Sequence, residues 1–112
     1  MQLIDVKREG AVAVVAPTVK RLDASVAPAF KQAVVDTVQG GDKRLLVDLA
    51  GVDFLDSSGL GALVSILKAL GAQGTMAVCG AQGAVLSLFK LTRMDKVFAL
   101  YPDRQQALAR MG

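Results

Sequence analysis

Three short apolar runs constrain this chain more than any other feature. Ala11–Ala16, Arg44–Leu49 and Thr75–Cys79 are bounded by turn residues and are rich in Val, Leu and Ala. They are too short for helices and read as buried strands. The stretches between them have helical character, so strands alternate with helices. After the first run, Val19–Leu22 leads into a helix. There Val26, Phe30, Ala33, Val34, Thr37 and Val38 form one stripe, Ser25 is the N-cap candidate, Pro28 stands in the first turn and Gly40-Gly41 is the stop. After the second run, Ala50–Asp56 reads as a connecting loop with Val52 and Phe54 pointing inward. Leu60–Leu70 reads as a helix that exits at Gly71 and Gly74. After the third, Ala84–Leu91 reads as a helix with Val85, Leu88 and Phe89 on one face. A short strand at Lys96–Leu100 follows, then a helix opened by Pro102 with Ala107 and Leu108 facing in. Ahead of all this, Leu3–Arg8 alternates and Glu9-Gly10 turns, so the chain opens with a hairpin whose outer arm is an edge strand. The expectation is an α/β fold: a mixed, mainly parallel sheet, right-handed crossovers and about four helices. With 112 residues, it is read as one domain spanning 1–112.

Composition removes most chemistries. There is no His and only one Cys, so a zinc site, a Cys–His dyad, a Ser–His–Asp triad and an internal disulfide are excluded. A lone Cys79 suits a reducing cytoplasm, and the charged N-terminus lacks the apolar core of a signal peptide. No apolar stretch reaches membrane-spanning length. The 13 Lys+Arg against 10 Asp+Glu give a net charge of +3, but the cations are scattered in ones and twos, and one Tyr, four Phe and no Trp make a poor stacking platform. Neither a direct nucleic-acid role nor a membrane role is expected, and no cofactor is called for.

One segment stands out: Val52-Asp53-Phe54-Leu55-Asp56-Ser57-Ser58-Gly59-Leu60-Gly61-Ala62-Leu63, which follows a buried strand and opens a helix. Two hydroxyls sit at the helix start, behind an acid and ahead of two glycines. Each Gly costs a helix about 1 kcal/mol relative to Ala, so a chain built for stability alone has little reason to place both there. The glycines can admit a partner's backbone, and free N–H groups at a helix start can hold an anion. Against these stands the plainer alternative of a Ser N-cap with glycines that relieve packing. A phosphate-binding P-loop is ruled out because no Gly-Lys-[Ser/Thr] follows.

Leu49–Leu63 resembles the signature of the STAS domain, the sulfate-transporter and anti-sigma-factor-antagonist family, and in particular its small bacterial anti-sigma factor antagonists (anti-anti-sigma factors). The resemblance runs along the chain. Leu22-Asp23 matches the family's Leu-Asp before the first helix, Gly74–Cys79 its turn and strand, and Leu88-Phe89 with Phe98 its late helix and strand. Two positions depart from the pattern. Lys20 replaces a common Gly, and Gln82-Gly83 stands where a Ser/Asn-Pro helix start is usual.

The resemblance implies a partner switch without enzymatic activity. The unphosphorylated antagonist binds an anti-sigma factor, usually an ATP-using serine kinase, and frees the sigma factor. Phosphorylation at Ser57 ends the complex, and a serine phosphatase resets it. Asp23, Asp56, Ser58, Gly59, Leu60 and Gly61 then belong to the partner-binding segment, in a cytoplasmic, bacterial protein that is a monomer when free. The helix itself adds one further expectation. Leu60, Leu63, Val64 and Leu67 make a core face, while Ala62, Ile66 and Ala69 make a second apolar face. Such a helix is commonly buried on both sides, but an apolar face beside a phosphorylation point is also a docking strip, with Ile66 on the partner surface. The competing reading is a stand-alone STAS scaffold or an accessory subunit of a transport, stress or secretion-control complex.

Overall fold

A computed structural model describes residues 2–41 and 43–111. The opening hairpin is present: β1 (Ile4–Glu9) pairs antiparallel with β2 (Val12–Pro17), and the turn between them contains Gly10 at φ +61°. Strand β3 (Arg21–Leu22) and helix α1 (Ala27–Gln39) follow, then β4 (Arg44–Asp48), β5 (Phe54–Leu55) and α2 (Ser57–Leu70). The chain continues through β6 (Thr75–Cys79), α3 (Gly83–Leu91), a 3-10 turn at Met94–Lys96, β7 (Ala99–Tyr101) and α4 (Arg104–Met111). The main sheet has the order β1-β2-β4-β6-β7, parallel except at its β1–β2 edge. The expected mixed, mainly parallel sheet with four helices is therefore observed.

The two faces of the sheet are covered unequally. One face carries the larger core, where Ala13, Val15, Leu45, Val47 and Val78 meet Phe30, Val34, Leu63, Ile66, Val85 and Phe89 from the first three helices. Phe98 closes this core edge-on to Phe89, with ring centroids 5.9 Å apart. On the other face, Val12, Val14, Leu46, Ala77 and Cys79 are covered by Ala107 of α4, with Leu108 and Met111 at the margin. The central strands are buried on both sides, and that is why they read as unbroken apolar runs.

Several local expectations are corrected. Ala50–Asp56 is more than a loop: Phe54-Leu55 pairs in parallel with Arg21-Leu22 as a separate two-stranded ladder. Val52 is buried, but Phe54 faces outward under the Arg21 guanidinium, 3.9 Å from its ring centre. Ser25 does not cap α1. Val26 occupies the cap position without a side-chain bond, and Ser25 donates both its N–H and its hydroxyl to Asp23. The last strand is shorter than Lys96–Leu100, because Arg93 in the left-handed region and the 3-10 turn are what bring Phe98 into the core. Asp103, rather than Pro102, holds the start of α4 by accepting from Gln106 N–H at 2.8 Å.

Candidate functional site

The site is built on the β3–β5 ladder. Leu22 lies opposite Leu55, and both are buried. Alternation along a strand therefore turns Arg21 and Phe54 outward, and the next residues, Asp23 and Asp56, leave the ladder side by side. The Asp56 N–H donates to the Leu22 carbonyl at 3.4 Å, and the Asp53 N–H to the Lys20 carbonyl at 2.9 Å. The ladder thus brings together two acids that stand far apart in sequence.

Each acid is already engaged. Asp23 accepts the Ser25 hydroxyl at 2.6 Å and the Ser25 N–H at 3.0 Å, with Arg21 Nε at 3.6 Å. The Ser25 hydroxyl bond, aided by its N–H and by Arg21, holds the Asp23 carboxyl below its ordinary value despite partial desolvation. Asp56 is the N-cap of α2, and its side chain accepts from the Gly59 N–H at 3.0 Å. The helix therefore starts at Ser57, earlier than the Leu60 boundary read from the sequence, and its cap is the acid rather than either serine.

That assignment releases the serines. Ser57 is the first residue of α2 and is exposed, and its hydroxyl makes no hydrogen bond among the described residues. Ser58 is half-buried and lines a groove of about 440 Å³ between α1 and α2, together with Ala24, Ala27, Lys31, Ala62 and Ser65.

The two glycines separate equally clearly. A Cβ on Gly59 would lie 2.3 Å from the Leu22 carbonyl oxygen and 2.6 Å from Leu55 Cδ1, so Gly59 lets α2 rest against the ladder. Packing explains it, as the plainer alternative held. A Cβ on Gly61 would meet nothing within 4 Å, and Gly61 is exposed. Leu60 is buried and anchors the helix start from within.

Ile66 does not belong on the surface. It is 0% exposed and part of the main core, as Ala62 is nearly so at 6%. Helix α2 packs on α1, with Ala62 and Ile66 turned inward and Ala69 left exposed, so Ile66 is withdrawn from the docking strip. Sequence reasoning also missed Arg21, Ser25 and Phe54. The one signal for them was the alternation of Arg21-Leu22-Asp23, too short to register as a strand. Among the described residues, no group of three or more Cys, Asp or Glu residues is arranged to hold a metal ion, and no helix is long and apolar enough to cross a membrane.

Residues 4–107 match the STAS domain family, and the chain belongs to it. It is similar to an anti-sigma factor antagonist from Mycobacterium paratuberculosis, with 32% identity and a TM-score of 0.89 over 96% of this chain and 92% of that one. It is similar also to an anti-sigma-factor antagonist (STAS) domain protein from Planctomyces limnophilus, with 28% identity and a TM-score of 0.87 over 97% of each chain. A Thermotoga maritima protein superimposes with a TM-score of 0.89 at 25% identity, over 96% of this chain and 93% of that one.

Proposed function

We propose that this STAS domain is an anti-sigma factor antagonist whose binding is switched off by phosphorylation of Ser57. The observation that carries this reading is the Ser57 hydroxyl itself, exposed and without a hydrogen bond among the described residues, at the first position of a helix already capped by Asp56. A kinase can take this hydroxyl without dismantling the cap. Ser58, half-buried in the α1–α2 groove, offers poorer access. The similarity to the mycobacterial and planctomycete antagonists supports the same role.

The switch follows from charge. A phosphoserine adds about −1.5 to −2 charges at neutral pH, here beside Asp56 and the Asp23 that leaves the ladder next to it. The positive helix end tempers this locally. A partner surface fitted to a neutral hydroxyl then meets a cluster of three acids. Two unit charges about 4 Å apart interact by about 4 kcal/mol at an effective dielectric near 20, and about 1.4 kcal/mol suffices for a tenfold change in affinity. The domain therefore need not refold to release its partner. In this reading the protein is a substrate and a ligand, not an enzyme. Its partners are an anti-sigma factor serine kinase that uses ATP and a serine phosphatase that restores the free hydroxyl.

Incubation with candidate kinases and ATP, followed by mass mapping, tests the site. One phosphate on Ser57, absent from Ser57→Ala, is expected. A phosphate that persists in Ser57→Ala moves the switch to another residue and overturns the assignment.

A further inference from the structure

The smaller core is covered in a different way from the larger one. Val12, Val14, Leu46, Ala77 and Cys79 form an apolar strip across β2, β4 and β6, and the helical residues packed on it, Ala107, Leu108 and Met111, all come from α4. The two cores share no residue among those described. Within α4, Ala107 is the one fully buried side chain. Its apolar grip is therefore small, and isolated helices shorter than about 12–15 residues are marginal in water. Polar clasps hold it at both ends. At the start, Arg104 reaches the Asp48 carboxylate; at the end, Arg44 donates to the Met111 carbonyl. Asp48 and Cys79 are register partners on β4 and β6, so the first clasp stands beside the Cys79 thiol, which is itself 0% exposed. Pro102 and Asp103, exposed between β7 and α4, form the connection about which the helix can swing.

We infer that α4 is a lid: it opens alone, while the larger core stays closed, and its opening is what admits a reagent to Cys79. The helices of the larger core do not pack on the strip, so none of them has to move. Segments with few buried apolar contacts open at less cost than the whole domain, and α4 is such a segment. The lid gives the fold a thiol that is shut away while α4 is seated and open to reaction when α4 is displaced. It is independent of the Ser57 switch, and either can fail without the other.

The test follows the reaction of the full chain with dithiobis-nitrobenzoate in rising, sub-denaturing urea. The Cys79 thiolate attacks one sulfur of the reagent's disulfide. A mixed disulfide forms, and the coloured aromatic thiolate leaves with the electron pair of the broken bond. The lid predicts a rate far below that of an unfolded peptide bearing the same cysteine. It also predicts a rate nearly flat in dilute urea, because local opening exposes little surface, that steepens only toward the unfolding midpoint. Arg104→Met is expected to raise the rate in dilute urea about tenfold or more, and Arg104→Lys by less. Ile66→Val, which weakens the larger core, is expected to lower the midpoint and leave that rate unchanged. If Arg104→Met does not fold, Arg104→Lys carries the same comparison. A rate that climbs with the full unfolding slope from the lowest urea overturns the lid, as does a wild-type rate equal to that of the peptide. Acceleration by Ile66→Val equal to that by the Arg104 variants, or none by either, overturns it too.

Discussion

The two glycines of the Ser57 segment differ only in what surrounds them, and that difference separates stability from binding. Gly59 lies so close to the Leu22 carbonyl that any side chain must push α2 off the ladder. Gly59→Ala is expected to cost on the order of 1–3 kcal/mol, the range for overpacking, measured as a lower denaturant midpoint at unchanged slope. Gly61 has open space around it, so helix propensity alone predicts that Gly61→Ala stabilises by up to about 1 kcal/mol. A residue that lowers stability without a packing reason is understood if a partner's backbone approaches it. Gly61→Ala should therefore melt higher and bind the anti-sigma factor more weakly. A variant both more stable and equally tight would remove Gly61 from the contact surface. Sequence alone could not make this distinction, because both residues share the same motif and only the position of Leu22 tells them apart.

Among the α-helices of the described residues, α4 is the shortest, eight residues covering one face of the sheet. It is held by a forked ion pair, in which Arg104 reaches Asp48 Oδ2 through Nε at 3.0 Å and through Nη2 at 2.9 Å. The Arg44 guanidinium also donates to the Met111 carbonyl at 2.7 Å. Asp48 is mostly buried, with 12% of its side chain exposed, whereas 37% of the Arg104 side chain is exposed. Arg104→Met should cost on the order of 1–3 kcal/mol, because it leaves a mostly buried carboxylate without its cation. Hydrogen exchange should then rise first in α4 and at Cys79, ahead of the α1–α2 side. Equal protection in both proteins would mean that apolar contact alone holds the helix. Elements of five or more residues were legible from periodicity, and their order dictated the sheet. The β3–β5 ladder was not, because two residues carry no period, and the site depends on it. Ile66 was misplaced for a related reason: a helix apolar all round does not reveal which of its faces meets a second helix.

For the whole molecule, titration gives a test of the packed core. Burial, and then the neighbouring Asp48, push the Cys79 thiol from its ordinary 9.0 to about 12. Between these values the unfolded chain has lost the thiol proton while the folded chain keeps it. Stability is thus full below the ordinary thiol value and falls as pH rises toward about 12. Cys79→Ala should flatten this alkaline loss, seen as a shallower fall of melting temperature above pH 9. Asp23 acts with the opposite sign and more weakly, because it is partly exposed. Its lowered carboxyl favours the fold above the ordinary carboxylate range, a contribution lost as pH falls through its folded value. These effects belong to the scaffold, which in this account stays intact while a single side chain changes its charge. The direct measurement is calorimetric titration of one purified anti-sigma factor with two preparations of this protein, one bearing a free Ser57 hydroxyl and one stoichiometrically phosphorylated there. The account predicts at least about a hundredfold weaker binding for the phosphorylated preparation, with unchanged circular dichroism. Equal affinity for the two preparations would contradict it.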